Sequence, residues 1–294
     1  MRVGVSLRST YSVPDARTGA RWMIERAAAA RAAGLDSLFV GDKHVIGAPY
    51  YQNTPILGRL LAEWGDAPAG ALYLLPLWNP VLLAEHIGTL ASIASGRFIV
   101  QCGLGAGHCQ FAALGADERK RVSTFERNLA VIRTLLAGGD VDGSRIAPFP
   151  SEPVEVWIGG YADAAIDRAA RLGDGFLAGP DVTADEAAAQ VELYRERCAA
   201  HGRPVGVTAI RRDIHVGADT DDARRVAEPV LASGYRGFPP DAPIAGGPDE
   251  VAVSLRALGE IGFTDVIVRH LADDQGEVLR SFERLANVRH LLVR

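Results

Sequence analysis

The sequence predicts a single (β/α)8 barrel running through residues 1–294. Three observations carry that reading. Residues 69–107, AGALYLLPLWNPVLLAEHIGTLASIASGRFIVQCGLGAG, read as strand, helix and strand with short joints, and such a βαβ unit requires a parallel sheet. Eight short apolar runs alternate with helical patterns along the chain, as βα units do. No linker, repeat or composition break divides them. A doubly wound open sheet shares the local pattern, but eight regular units close naturally into a barrel.

The elements follow in order. Residues 3–7 form an alternating first strand. Residues 18–33 place Trp22, Ile24, Ala27, Ala28 and Arg31 at helical offsets, and Gly34 stops that helix. The run 36–40, DSLFV, is a second strand with Gly41, Asp42, Lys43 and His44 at its carboxyl end. A loop rich in Gly, Pro, Tyr and Asn over 45–55 leads to a short helix, 56–64. The third strand, 71–75, is too short for a helix and is broken by Pro76, which suits a strand buried on both faces. Asn79-Pro80 opens the next helix, because proline's fixed φ fits a first turn, and Val81, Ala84, Ile87, Leu90, Ala91 and Ala94 recur at helical spacing. A fourth strand, 98–102, ends in Gly103-Leu104-Gly105-Ala106-Gly107.

Beyond the glycines come a helical piece at 109–114, a long helix at 118–136, and a turn-rich stretch, 138–153, with room for one short strand. The later units are strand 154–158, helix 163–172, strand 174–178 and helix 184–200. They continue with strand 205–216, in which Arg211-Arg212-Asp213 is the place for a bend, and helix 221–233. A Gly/Pro-rich loop, 234–247, precedes helix 249–261, strand 264–268 and helix 277–288.

Hydrophobic residues make up 48% and charged residues 23% of the chain, which allows a large core. A net charge of −5 argues against nucleic acid or an anionic membrane as the main partner. Cys102, Cys109 and Cys198 show no metal-ligand spacing and read as reduced thiols. The opening MRVGVSLRS passes straight into a strand, and no apolar run approaches the length of a membrane span. These features predict a soluble cytoplasmic protein with a small-molecule partner and no metal site.

In a barrel, function belongs at the carboxyl ends of the strands. Asp42, Lys43 and His44 place three titratable groups at one such end, where a histidine can act as acid or base; a salt-bridged surface loop is the plainer alternative. The glycines 103, 105 and 107 have GxGxG spacing and no acidic residue ending a following strand, so they fail as a dinucleotide fingerprint. They allow close approach of a ring or phosphate, or simply make a tight turn. Gly159-Gly160 follows a strand and opens a helix, a natural anion site, although Asp163 can compete for the same N–H groups. His86 and His201 read as structural or surface residues, and His108 lies beside the glycines. No order of Ser, His and Asp points to hydrolysis.

The segments LDSLFVGDKH, LLPLWNPVLLAEHIGTLASIASGRFIVQCGLG, VEVWIGGYADAAIDRAARLGDGF and GGPDEVAVSLRALGEIGFTDVIVRH resemble the bacterial luciferase-like flavin and deazaflavin oxidoreductases. The subgroup they are most similar to uses coenzyme F420. The resemblance implies a luciferase-like barrel with loop insertions at its carboxyl face, holding the deazaflavin, or FMN in the alternative. It implies a bulge in the third strand with a non-proline cis peptide at Leu72–Tyr73, Asp42 near the ring's polar edge, and Leu104 and Gly105 in the turn beside it. The cofactor's phosphate-bearing tail maps to Gly159, Gly160, Ala162 and Asp163.

Two departures from the family's sugar-phosphate dehydrogenases stand out. They carry histidine directly after the Asp and glutamate after the glycine turn, where this chain has Lys43 and Ala106. Their sugar-phosphate lysine after the sixth strand is also unmatched; Asp181 lies near that place. His44 corresponds instead to the second residue of a His-His pair in related reductases. The resemblance therefore implies hydride transfer between coenzyme F420 and a small organic substrate, with His44 and Lys43 as candidate catalytic groups. Tyr50, Trp78 and His108 are expected at the substrate, with Tyr51 and Trp64 shaping the pocket. The loop 235–246 is expected to close over it, and family habit adds a homodimer. The alternatives are an FMNH2-dependent monooxygenase and a cofactor-less barrel serving as a binding subunit.

Overall fold

Strands and helices alternate from end to end in the computed structural model, which describes residues 1–13 and 15–293. The strands are β1 (Arg2–Leu7), β2 (Leu38–Val40), β3 (Ala69–Leu74), β4 (Phe98–Gly103), β5 (Glu155–Gly159), β6 (Gly175–Ala178), β7 (Val207–Val216), β8 (Ile244–Gly246) and β9 (Asp265–His270). The helices are α1 (Ala16–Ala32), α2 (Asn53–Trp64), α3 (Pro80–Ile93), α4 (His108–Ala113), α5 (Arg121–Leu136), α6 (Asp163–Leu172), α7 (Ala184–Ala200), α8 (Thr220–Ala232), α9 (Pro248–Ile261) and α10 (Gln275–Val293). Strands β1 to β7 pair in sequence order, β7 pairs with β9, and β9 pairs back onto β1. Every pairing is parallel, so eight strands close into the predicted (β/α)8 barrel.

The differences from expectation are local. The loop 234–247 contains a ninth strand, β8, which pairs outside the ring with the last three residues of β7. Strand β7 does not bend at Arg211-Arg212-Asp213, because residues 209–214 pair one to one with 265–270. Helix α2 begins at Asn53, three residues early, and the buried Asn53 amide donates to the Leu72 carbonyl at 2.8 Å. The stretch 138–153 holds an isolated Val141–Ser144 bridge and no strand.

Alternation of side chains along each strand divides the interior in two. Outward-facing residues such as Val3, Val5 and Leu7 join the helices in the main apolar core. Phe39, Ile99, Trp157, Ala209 and Ile267 form a separate cluster along the barrel axis. The Trp157 indole N–H is satisfied by Glu155 Oε2 at 3.1 Å. Residues two places further along each strand point the same way and line the mouth. They are Gly41, Gln101, Gly159, Gly179, Arg211 and Arg269, with Gly103 and Asp213 one layer higher.

Candidate functional site at the barrel mouth

One wall of the mouth is built on Asp42. Its side chain is buried at the end of β2. Oδ2 accepts the Leu74 N–H and the Trp78 Nε1–H, both at 2.8 Å. Oδ1 lies 3.1 Å from His44 Nε2, off hydrogen-bond geometry, so both atoms remain buried without a partner. Trp78 packs edge-on against His44 at 5.6 Å and Tyr73 at 5.6 Å. The short 3₁₀ turn that carries Trp78 is held by the buried Asn128, whose amide donates to the carbonyls of Leu75 and Trp78 at 2.9 and 3.0 Å. Tyr50 covers Gly41, and burial raises the pKa of its hydroxyl.

The mouth is asymmetric. From β2 to β6 the inward-facing positions are occupied by Gly41, Gly103, Gly159 and Gly179, with Leu72 and Leu74 between them on β3. A Cβ at Gly159 would meet Leu177 O at 3.5 Å and Cys102 O at 3.6 Å, ordinary contacts, so the fold itself does not demand a glycine there. In the layer of Gly41 and Gly159, on β4, Gln101 Nε2 is buried and unpartnered. The opposite side, from β7 through β9 to β1, carries Arg211, Asp213, Arg269 and Arg8. Asp213 is fully buried; it accepts from Tyr235 OH at 2.8 Å, Arg211 Nε at 3.0 Å and Arg236 Nη1 at 3.3 Å. Those bonds tie the 235–237 turn over the mouth.

A third feature is the start of α6. Ala162 is its N-cap and no side chain caps it, which leaves the outward N–H groups and the positive helix end for an anion. Asp163 and Ala164 are exposed there. The two preceding glycines differ in role. A Cβ at Gly160 would fall 2.3 Å from Ala165 Cβ, so Gly160 is required by packing of the helix on its own strand end.

The structure brings Asp42, His44, Tyr50, Leu72 and Trp78 together and separates others from them. Lys43 is exposed, and its carbonyl accepts from Gln52 at 3.3 Å. His108 is exposed at the start of α4, on a cavity of about 400 Å³ lined also by Phe111, Glu118, Arg119 and Arg121. Leu104 and Gly105 form the turn after β4, with Gly105 at φ +72° resting on Leu74 and Phe111. Tyr73 points outward into the main core, fully buried with its pKa raised by burial, so only its backbone is at the mouth. Trp64 is fully buried at the opposite end of the barrel, donating to the carbonyls of Ala67 and Pro68 before β3, and cannot shape the pocket. Tyr51 turns toward α1 and bonds Ala16 O.

The expected bulge and cis bond are absent. β3 and β4 pair residue for residue from Ala69↔Phe98 to Leu74↔Gly103, and the one cis bond among the described residues is Ala147–Pro148. Regular pairing of all six residues leaves no extra residue to bulge. Arg211, Asp213, Tyr235, Arg236 and Gln101 were not singled out as site residues from sequence. The signal available for two of them, Arg211 and Asp213, was a run of charges, RRD, inside a strand that is otherwise largely apolar.

The luciferase-like monooxygenase family profile matches residues 1–261. The chain belongs to that family. Among its luciferase-like relatives, an uncharacterized protein of Mycobacterium tuberculosis is 27% identical over 274 residues, covering 81% of this chain and 92% of the relative. The F420-dependent glucose-6-phosphate dehydrogenase of Beutenbergia cavernae is 31% identical over 192 residues, 58% of this chain and 56% of the enzyme. Monooxygenase RslO1 from Streptomyces bottropensis shares the fold over 100% of both chains, with a TM-score of 0.84 and 18% identity. An F420-dependent secondary alcohol dehydrogenase shares it over 98% of both, with a TM-score of 0.78 and 16% identity. The family is one of oxidoreductases. Among the described residues, no helix is long and apolar enough to cross a membrane.

Proposed function

We propose that this luciferase-like protein is a coenzyme F420-dependent oxidoreductase acting on a small organic substrate. The observation that carries the reading is the glycine floor on one half of the mouth. Gly41 and Gly159 remove side chains from the layer above Phe39 and Trp157, and Gly103 does so one layer above Gln101, which clears space for a flat ring. The polar groups present fit such a ring. Asp42 Oδ1, His44 Nε2 and Gln101 Nε2 are buried polar atoms without partners, and a buried polar group calls for one. The uncapped start of α6 suits the anionic tail.

When bound, the deazaflavin supplies the two-electron hydride chemistry, while the protein supplies orientation and exclusion of water. Leu72 and Leu74 give the apolar wall. Asp42 is fixed by the Leu74 and Trp78 donors, and its Oδ1 lies 3.1 Å from His44 Nε2. His44 is then the group placed to hold or deliver a proton at the substrate. Lys43, exposed beside it, stays outside this role.

Titration of the purified protein with coenzyme F420 and with FMN, followed by fluorescence quenching, tests the reading. Micromolar binding of the deazaflavin alone supports it. A preference for FMN moves the assignment to the monooxygenase that the family's description names, and binding of neither leaves a barrel that serves as a binding subunit. Ala164→Asp places a negative charge at the exposed start of α6 without touching Ala165, and it should weaken deazaflavin binding severalfold. The proposal includes a homodimer, for which α3 exposes Val81, Leu82 and Ile93; light scattering checks it.

A further inference from the structure

The arginine half of the mouth has no use in binding the ring as described above. Arg8, Arg211 and Arg269 project inward from β1's end, β7 and β9, and Arg236 reaches in from the turn after α8. Their carboxylate partners are two: Asp273 pairs with Arg8, and Asp213 is shared by Arg211 and Arg236. Asp181, the next carboxylate around the rim, faces Tyr161 and Arg212. Four guanidinium groups against two carboxylates leave an excess of two positive charges. Arg8 Nε, Arg211 Nη2 and Arg269 Nε are all buried with no hydrogen-bond partner. Beyond the backbone pairing of β9, no side-chain hydrogen bond or ion pair holds Arg269 among the described residues.

Such an arrangement is unfavourable for the protein alone. A buried N–H without an acceptor costs about 1–3 kcal/mol, and more when charged. Burial disfavours the charge on Arg269, and Arg211, Arg236 and Arg8 repel it against the attraction of Asp213. Planar forked donors that converge on a concave site match the oxygens of a carboxylate, sulfonate or phosphate.

We propose that Arg8, Arg211 and Arg269 form a subsite for an oxyanion, and that the substrate carries an acid group bound there while its reacting carbon faces the glycine floor. The proposal rests on the redox reading only for the word substrate. The burial that surrounds Arg269 lowers its pKa to about 10, so it stays charged at neutral pH. Asp213 keeps Arg211 and Arg236 in place and Tyr235 closes the turn above them, so the subsite is built before any ligand arrives.

Calorimetric titration of the cofactor-free chain with benzoate, benzenesulfonate and the neutral benzyl alcohol tests it. Binding of the two oxyanions with benzyl alcohol silent is expected, together with at least tenfold weaker oxyanion binding in Arg269→Gln and cofactor affinity within twofold of the unaltered chain. Because Arg269 is deeply placed, Arg269→Lys and displacement of bound benzoate by sulfate in the unaltered chain provide the same decision if Arg269→Gln does not fold. Equal binding of the neutral probe, or no displacement by sulfate, overturns the proposal. So does a parallel tenfold loss of cofactor affinity, since the cluster would then hold the cofactor's own acid groups. Failure of the unaltered chain to bind either cofactor overturns the redox reading instead and leaves the anion titration readable.

Discussion

Gly159→Ala separates a glycine kept for a ligand from one kept for the fold. In a strand, glycine costs about 0.5–1 kcal/mol relative to alanine through lost conformational freedom. At Gly159 the added methyl meets Leu177 O and Cys102 O at 3.5 and 3.6 Å, so no clash offsets that gain. Unfolding entropy of about 2.1 cal/mol/K per residue comes to roughly 0.6 kcal/mol/K for 294 residues. The substitution should therefore raise Tm by about 1–2 °C. The same methyl enters the layer assigned to the ring, where overpacking costs about 1–3 kcal/mol, a fivefold to 150-fold loss of affinity. Scanning calorimetry and cofactor titration on one preparation give both numbers. A lower Tm with unchanged Kd would refute the reasoning, since the glycine would then serve only its own backbone.

Three further outcomes follow from buried polar groups. Asp42→Ala leaves the Leu74 N–H and the Trp78 indole N–H without their acceptor; at about 1–3 kcal/mol each, urea unfolding should show a loss of about 2–6 kcal/mol. Asn128→Leu strands the carbonyls of Leu75 and Trp78, and the same assay should register about 2–4 kcal/mol with a change in Trp78 emission. His215 and His270 are buried with pKa values lowered by burial, the latter also by Arg26 and His215. Glu277 and Asp222 pull His215 upward, while Arg284 and Arg225 push it down. Both therefore stay neutral when folded and take up protons on unfolding below about pH 6.5, so stability present above that pH is lost as it falls, by up to about 1.4 kcal/mol per pH unit for each histidine. Neither nitrogen of His215 has a partner, so His215→Leu should fold normally and show a shallower decline of Tm between pH 6.5 and 5. An unchanged slope would mean that His215 is already protonated in the folded state.

The barrel was legible because parallel strands covered by helices leave apolar runs, and most of the ring strands carry one. The ninth strand was not: Ile244-Ala245-Gly246 is only three residues long, and its pairing depends on where β7 ends rather than on its own composition. Asp42, His44 and Trp78 could be placed at strand ends by counting along the βα units. What the count could not tell was direction. Tyr73 and Arg269 both lie at strand ends, yet alternation sends the tyrosine outward into the core and the arginine inward to the mouth. His270 illustrates the same limit. It neighbours Arg269 in sequence, but it faces α10, where its ring bonds Ser281 at 3.0 Å and lies 4.3 Å from Phe282.

That one-residue alternation has a consequence for how the site tolerates change. On β7 and β9 the outward residues Arg212, Ile214, His270 and Val268 hold the helices, while the inward Arg211, Asp213 and Arg269 hold none of the main core. Replacing an inward residue therefore alters the charge of the mouth with little loss of packing, and replacing its neighbour does the reverse. The two halves of the mouth differ in the same way. At Gly159 the glycine half gains stability from an added side chain and loses room; the arginine half loses charge and relieves its own repulsion. Both halves are held in forms that the empty fold does not favour, as expected where side-chain choice serves a ligand rather than the barrel.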